Sequence, residues 1–377
     1  MKNPFMVRGY GGAELFCDRQ RELATLLSNV RNHADTTLIS HRRMGKTGLI
    51  MRLFDELRHQ GDKLTPIYVD IYASRNLSDL IRMISEAVMK HYPQSSSFGS
   101  RFWEFITAFR PTVSFDPITG SPEIGISYQN DAEKEQTLRG ILQFLDSQPQ
   151  PIVLAIHEFQ QIREYPEKNA EALLRTHMQG LSNVTFIFCG SKKHMMIDMF
   201  SNAGNPFYAS TKFLTLGPIE EEAYREFIFR MFHKNGRNID AAAIDFILEW
   251  TKRHTFYTQS LCHSVFASGV ESVMVRDVER ACGEILSANQ DVYLQYRQLI
   301  TPAQWNFLIA VAKENEVRQA TATKFLSKYN IGSPSSAKRL LEALLEKEML
   351  IENTSIEGTS YTLYDVFMLR WMENVER

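Results

Sequence analysis

Cysteine is scarce: Cys17, Cys189, Cys262 and Cys282 are the four in 377 residues, and no two form a C-x-x-C pair, which argues against a disulfide framework or a zinc site. Long apolar runs are missing as well. No stretch approaches the ~20 residues of a membrane span, and the start, Met1-Lys-Asn-Pro-Phe5, lacks the apolar core of a secretory leader. A cytoplasmic protein with no membrane partner is expected. Nor is there an excess of either charge. The net charge of −2 removes any whole-chain attraction to polyanions, so nucleic-acid contact would need a local patch. With 44% hydrophobic and 23% charged residues the composition is that of an ordinary globular protein. A single core rarely grows past ~250 residues, so two or three domains are expected.

One stretch stands out against this background. Residues Ser40 to Thr47 read S-x-x-x-x-G-K-T, between a short apolar run, Thr37-Leu38-Ile39, and a helical face of Leu49, Ile50, Leu53, Phe54 and Leu57. Strand, loop and helix in this order are the setting of a phosphate-binding loop, in which backbone N–H groups face an anion, a lysine reaches the outer phosphates and a hydroxyl serves Mg²⁺. Gly45, Lys46 and Thr47 supply these parts. The motif ordinarily begins with glycine, whose place Ser40 takes; that is tolerable where the backbone is of the ordinary kind. The alternative is a basic loop that caps a helix.

Around the loop the pattern alternates strand and helix. Asp18 is the expected N-cap of a helix bearing Leu23, Leu26 and Leu27. Pro66 to Tyr72 reads as a second buried strand with Asp70 near its end, where ligands bind in open α/β sheets; a solvated strand end is the competing reading. Leu77 to His91 has helical spacing. Residues 93–130 look like an insertion, with a hairpin signal over Thr112 to Ser127. After a helix from Glu133 to Leu145, Pro151 to Ile156 is a buried strand ending in His157 and Glu158. An acid at such a strand end holds the Mg²⁺ shell, and a following glutamate orients the attacking water. Glu158 fits the second role, but His157 stands where the acid is expected, and Mg²⁺ prefers oxygen ligands. Asp70 compensates if the two strands are neighbours. Asn183 to Cys189 is another buried strand. Ser191 at its tip is a candidate sensor of the γ-phosphate, or else simply part of a turn with Gly190, and Lys212 to Leu216 closes the sheet.

From Glu220 no strand signal follows for about eighty residues, so a helical lid is expected, with His254 at a helix start as a second candidate sensor. Beyond Tyr296, Thr301 and Pro302 open one helix and Ser333 and Pro334 another. A hairpin follows, from Met349 to Tyr364 with a turn at Glu357 and Gly358, which makes a winged helix. Lys338 and Arg339 stand where a DNA-reading helix would want them. Yet from Arg297 to Arg377 ten Lys and Arg face ten Asp and Glu, so protein docking is at least as well supported as DNA. The expected boundaries are 1–217 for an α/β P-loop NTPase domain with a three-layer sheet, 218–293 for the lid and 294–377 for the winged helix.

Taken together, Phe16 through Glu22, Arg42 through Thr47, Ile156-His157-Glu158-Phe159-Gln160, Gly190-Ser191, and the Pro334-Ser335-Ser336 helix with Asp365, Phe367 and Trp371 resemble the archaeal-type ATPases of the STAND branch of AAA+-like P-loop proteins. The resemblance implies ATP/ADP with Mg²⁺ as ligands. It places Phe16 and Arg19 near the adenine and Ser40, Arg43, Met44, Gly45, Lys46, Thr47 and Gly48 on the nucleotide, with Thr47, Asp70 and His157 as the metal candidates. The chain departs from that family's usual residues at His157 (Asp), at Arg253-His254-Thr255 (a Gly-His-Pro-like lid motif) and at Val366 (Pro). The first two touch the chemistry, which supports a binding switch more firmly than a fast ATPase. Three readings follow: an ATP-hydrolysing switch, an ATP-binding protein with little hydrolysis, and a nucleotide-regulated DNA-binding protein. A protein partner is expected in the first; the assembled state stays open.

Overall fold

The computed structural model describes residues 3–92, 95–107, 112–115, 122–125, 128, 130–355 and 358–374. The chain divides into two units: one runs from Arg8 to Gly217, and the other joins the N-terminal stretch ending at Val7 to the chain from Pro218 onward. Among the described residues no helix is long and apolar enough to cross a membrane.

In the first unit the elements run α1 (Gln20–Arg31), β1 (Thr36–Ile39), α2 (Lys46–His59), β2 (Thr65–Asp70), α3 (Leu77–His91), α4 (Ser97–Thr107), β3 (Thr112–Phe115), β4 (Pro122–Gly125), α5 (Asp131–Asp146), β5 (Ile152–His157), α6 (Ala170–Met178), β6 (Val184–Gly190), α7 (Lys193–Ser201) and β7 (Lys212–Thr215). Five strands form a parallel sheet in the order β2-β5-β6-β1-β7. A parallel sheet is covered on both faces, which is why β5 and β6 read as nearly continuous apolar runs. Successive side chains point to opposite faces: Val153 and Ala155 join Leu26, Leu49, Ile50 and Leu53 of α1 and α2 on one face. Ile152, Leu154 and Ile156 join Ile81, Ile84, Leu138 and Ile141 of α3 and α5 on the other. Each fully buried Val, Leu or Ile among these contributes about 1.5–3 kcal/mol. This is the expected three-layer α/β architecture.

Two local expectations change. Arg19, not Asp18, is the N-cap of α1, and its side chain makes no capping hydrogen bond. Both residues take the left-handed conformation, with φ of 52° and 66°, which turns the chain so that the Arg19 side chain is free for a task described below. Within the inserted segment, Ser97–Thr107 forms a helix whose Phe98, Phe102 and Ile106 are buried at four-residue spacing; its Ser-rich start masks that period. The β3-β4 hairpin is antiparallel as expected, and its turn lies outside the described residues.

The second unit contains α8 (Glu221–Lys234), β8 (Asn238–Ile239), α9 (Ala241–Trp250), α10 (Thr255–Ala267), β9 (Ser272–Val273), α11 (Val275–Gln298), α12 (Pro302–Glu314), α13 (Thr323–Tyr329), α14 (Pro334–Glu346), β10 (Leu350–Ser355), β11 (Gly358–Leu363) and α15 (Val366–Glu373). The span expected to be wholly helical contains the parallel pair β8-β9, too short at two residues each to leave a pattern. Phe5 is buried against Phe227, Phe232 and Phe266, and Asn3 donates to the His263 carbonyl at 2.9 Å. The N-terminal stretch expected in the P-loop domain thus packs with the helices. The boundary expected near 293 falls inside α11. Tyr257 of α10 and Tyr293 of α11 enter the same core as Trp305, Phe307, Leu344, Leu363 and Phe367. Arg370 of α15 donates to the Trp250 carbonyl at 2.9 Å. The expected caps of α12 and α14 are present: Thr301 with Gln304 forms a capping box, and Ser333 accepts from the Ser336 N–H.

Asp35, at the start of β1, pins the lower edge of the sheet: its carboxylate accepts from the Phe186 N–H at 2.8 Å and its carbonyl from the Lys212 N–H at 2.9 Å. Burial pushes its carboxyl up to about 6, against the pull of the Phe186 N–H and the Arg175 charge. The folded state therefore holds this proton more tightly than the unfolded chain, whose Asp titrates near ~3.9, and the group costs stability as pH rises through that window. Asp35→Asn keeps an acceptor for Phe186 and should raise unfolding free energy by about 1–2 kcal/mol at pH 7.5, allowing for the half-buried setting. In urea unfolding at pH 4 the gain should vanish.

Candidate functional site

The parallel register aligns the upper strand ends. Asp70 pairs with His157, His157 with Cys189, and Ile39 with Gly190, so the residues that follow β1, β5 and β6 meet along one edge. Over that edge runs the loop from Ser40 to Gly45. Ser40 is buried and does not have a positive φ, whereas Arg43 and Gly45 do, at 63° and 95°. The glycine missing at position 40 is therefore not needed there, while the one at 45, the N-cap of α2, takes the left-handed conformation that glycine tolerates best.

Lys46 is only 4% exposed. Its ammonium donates to the Ser40 carbonyl at 3.0 Å, the Ser40 hydroxyl at 3.1 Å and the His41 carbonyl at 3.2 Å. Burial pulls its pKa down to about 8, opposed chiefly by the Glu158 carboxylate. A buried ammonium braced on loop oxygens, at the positive end of a 14-residue helix, is built to meet an anion. The residues present thus fit a phosphate chain.

Arg19 is buried too. It donates to Glu22 at 2.9 Å, to the Gly217 carbonyl at 2.6 Å and to the carbonyl of the buried Met44 at 3.5 Å. Its guanidinium braces the loop from behind. Phe16 lies against α2: a Cβ added at Gly48 would meet its ring at 3.3 Å, and Tyr10 stacks edge-on at 6.0 Å. Phe16 and Gly48 are thus adjacent, beside the loop.

On the far side of Lys46 a polar cluster gathers on Glu158. This residue has φ of 58°, a conformation uncommon outside glycine and often found at functional sites. Its carboxylate accepts from the Ser191 hydroxyl at 2.8 Å and from the Gln160 amide. Gln160, assigned no role from sequence, is buried, and among the described residues its carbonyl oxygen finds no donor; its neighbours Gln161, Arg163 and Glu164 are polar as well, so nothing in the sequence set it apart. Gly190 makes the close packing possible, since a Cβ there would lie 2.4 Å from Met196 Cγ and 2.6 Å from Gln160 Oε1.

The metal candidates are brought together, with one departure. Thr47 Oγ1 lies 3.3 Å from His157 Nε2, and His157 Nδ1 lies 3.5 Å from Asp70 Oδ2 and 3.9 Å from Glu158 Oε1. Burial pushes the Asp70 carboxyl up, but the His157 imidazole and the Tyr72 N–H together hold it below its ordinary value. β2 and β5 are neighbours, as the compensation argument requires. An imidazole, however, is what stands against the Thr47 hydroxyl. His254 belongs to the second unit as the N-cap of α10, its ring 4.7 Å from Tyr257. Lys338 and Arg339 are exposed on α14, with Lys338 3.9 Å from Glu342.

Residues 291–374 match the family model described as a probable winged helix domain. No curated protein matches the chain. Among solved structures, a Walker-type ATPase of Pyrococcus abyssi aligns with a TM-score of 0.68 and 18% identity over 98% of this chain and 99% of that one. The two share a fold, a parallel α/β sheet unit of P-loop type followed by helices and a C-terminal winged helix. The ORC2 protein of Aeropyrum pernix, in ADPNP and ADP complexes, aligns at 0.57 and 13% identity over 94% and 93% of the two chains. The ORC1 protein of the same organism, in complex with DNA, aligns at 0.51 and 13% over 96% and 93%. At these identities the fold is what is shared.

Gly190→Ala should destabilise the chain by about 1–3 kcal/mol in urea unfolding, as overpacking of a filled site does. Gly180→Ala, where an added Cβ meets nothing within 4 Å, is the matched control and should show no comparable loss.

Proposed function

We propose that this chain is an ATP-binding switch of the AAA+-like kind that hydrolyses ATP slowly. The observation that carries the reading is the buried Lys46 ammonium, braced on Ser40 and His41 at the N-terminus of α2 with Glu158 within electrostatic reach. In this reading Lys46 contacts the β- and γ-phosphates and the N–H groups of residues 43–48 cradle the chain of phosphates. Phe16 borders the adenine, and Arg19 acts by holding the loop. Glu158 positions the attacking water, and Ser191, already hydrogen-bonded to Glu158, reads the γ-phosphate. Water attacks the γ-phosphorus, the bond to the β–γ bridging oxygen breaks, and ADP and phosphate leave. A divalent cation, Mg²⁺ in the ordinary case, would be held by Thr47 with Asp70 and His157 at hand; it would neutralise charge on the phosphates.

Coupling to the lid and winged helix rests on two features. Arg19 links the Met44 carbonyl of the loop to Gly217, after which the chain enters the second unit. The lid and winged helix share one core, so they respond together. A switch of this kind requires that ATP and ADP differ in affinity for its two arrangements, and the same reading places it in the cytoplasm with a protein partner.

The imidazole in place of an acid favours a second reading, ATP bound with little turnover. Lys46→Ala should weaken ATP binding by at least about 100-fold, the loss of two charge-assisted hydrogen bonds, measured by calorimetry. Glu158→Gln should keep binding and cut phosphate release about 10²-fold or more; tight binding with no phosphate release from the parent chain selects the second reading. The winged helix supports a third, DNA binding. A gel shift that weakens with salt and is lost in Lys338→Glu/Arg339→Glu would carry it, and no binding at low salt would end it.

A further inference from the structure

We infer that the cation accompanying the nucleotide is ligated directly by His157 Nε2 beside the Thr47 hydroxyl, with Asp70 as the outer acceptor for Nδ1–H, so that the site prefers Mn²⁺ or Co²⁺ to Mg²⁺. The inference rests on the nucleotide reading and deepens it. Two adjacent ligands of an octahedral ion at about 2.1 Å stand about 3.0 Å apart, and Thr47 Oγ1 and His157 Nε2 are 3.3 Å apart. A shift of a few tenths of an ångström, within side-chain freedom, makes them such a pair.

The other ring nitrogen points the same way. Metal-bound histidines almost always donate their second N–H to a carboxylate or carbonyl, which fixes the tautomer and raises the basicity of the ligating nitrogen. Among the described residues His157 Nδ1, which is buried, has no hydrogen bond, and the nearest carboxylate oxygen is Asp70 Oδ2, at 3.5 Å. Asp70 is held in turn by the Tyr72 N–H at 3.0 Å. Main-chain pairing of β2 with β5 sets Asp70 and His157 side by side, so this carboxylate and histidine are positioned by the sheet.

Imidazole suits the later first-row dications, whereas Mg²⁺ demands oxygen and gives up water reluctantly. Among the described residues no group of three His, Cys, Asp or Glu could hold a metal alone. The remaining ligands must come from phosphate and water, so the ion enters with the nucleotide.

The test uses the full chain with ADP and MnCl₂, and pulsed EPR of Mn²⁺. The expected result is ¹⁴N modulation that changes to a ¹⁵N pattern when histidine alone is ¹⁵N-labelled, a readout that needs no substitution, and that is absent in His157→Asp. Calorimetry with ATP should show Mn²⁺ favoured over Mg²⁺ by about tenfold or more, the preference lost in His157→Asp and Mn²⁺ affinity lowered about 10-fold in Asp70→Asn. Nucleotide binding with Mn²⁺ but no histidine modulation overturns the inference and leaves the nucleotide reading standing. Failure to bind ATP with any of the ions overturns both.

Discussion

Parallel pairing of β2, β5, β6 and β1 is the constraint on which the rest of the first unit depends. It fixes the height of every strand end against its neighbours, so the residue after each strand has little choice of where to go. Asp70, His157, Cys189 and Gly190 fall along one edge because the main-chain ladder puts them there. The loop that follows β1 then needs only a turn that can pass over this edge, and the left-handed Arg43 and Gly45 make it. Chemistry at the edge comes from side chains, while position comes from the backbone.

Within that frame the site divides in character. The Lys46 ammonium has three internal acceptors, the Ser40 carbonyl and hydroxyl and the His41 carbonyl. Around Glu158 and His157 two buried polar atoms, Gln160 Oε1 and His157 Nδ1, have no partner among the described residues. Leaving a buried polar atom unsatisfied costs about 1–3 kcal/mol, a cost that a bound partner removes. The loop side of the site is therefore satisfied internally at Lys46, and the polar cluster beside it is not.

Much of this was legible in the sequence, for identifiable reasons. The P-loop, the strands of the sheet and the caps at Thr301 and Ser333 are local patterns, and each stands where its spacing put it. What escaped was set by contacts between distant residues. Arg19 looked like a helix-start residue near the adenine, and only the fold brings Met44 and Gly217 within its reach. Phe5 looked like part of the P-loop domain because it precedes it in sequence. Gln160 and Gly190 are ordinary until packing presses them together. The β8-β9 pair, two residues on each side, is too short for any period to show.

The place of the N-terminal stretch bears on how the molecule is made. Asn3 precedes the sheet unit in sequence, yet its partner His263 lies 260 positions later, with that whole unit between them. That unit can complete its core while its leading end is still without a docking site, because the ring pocket of Phe227, Phe232 and Phe266 does not yet exist. Closing so long a loop is entropically cheap per added residue but slow, since non-local contacts reward the chain only after the search is over. Residues that precede the sheet unit must wait for those that follow it.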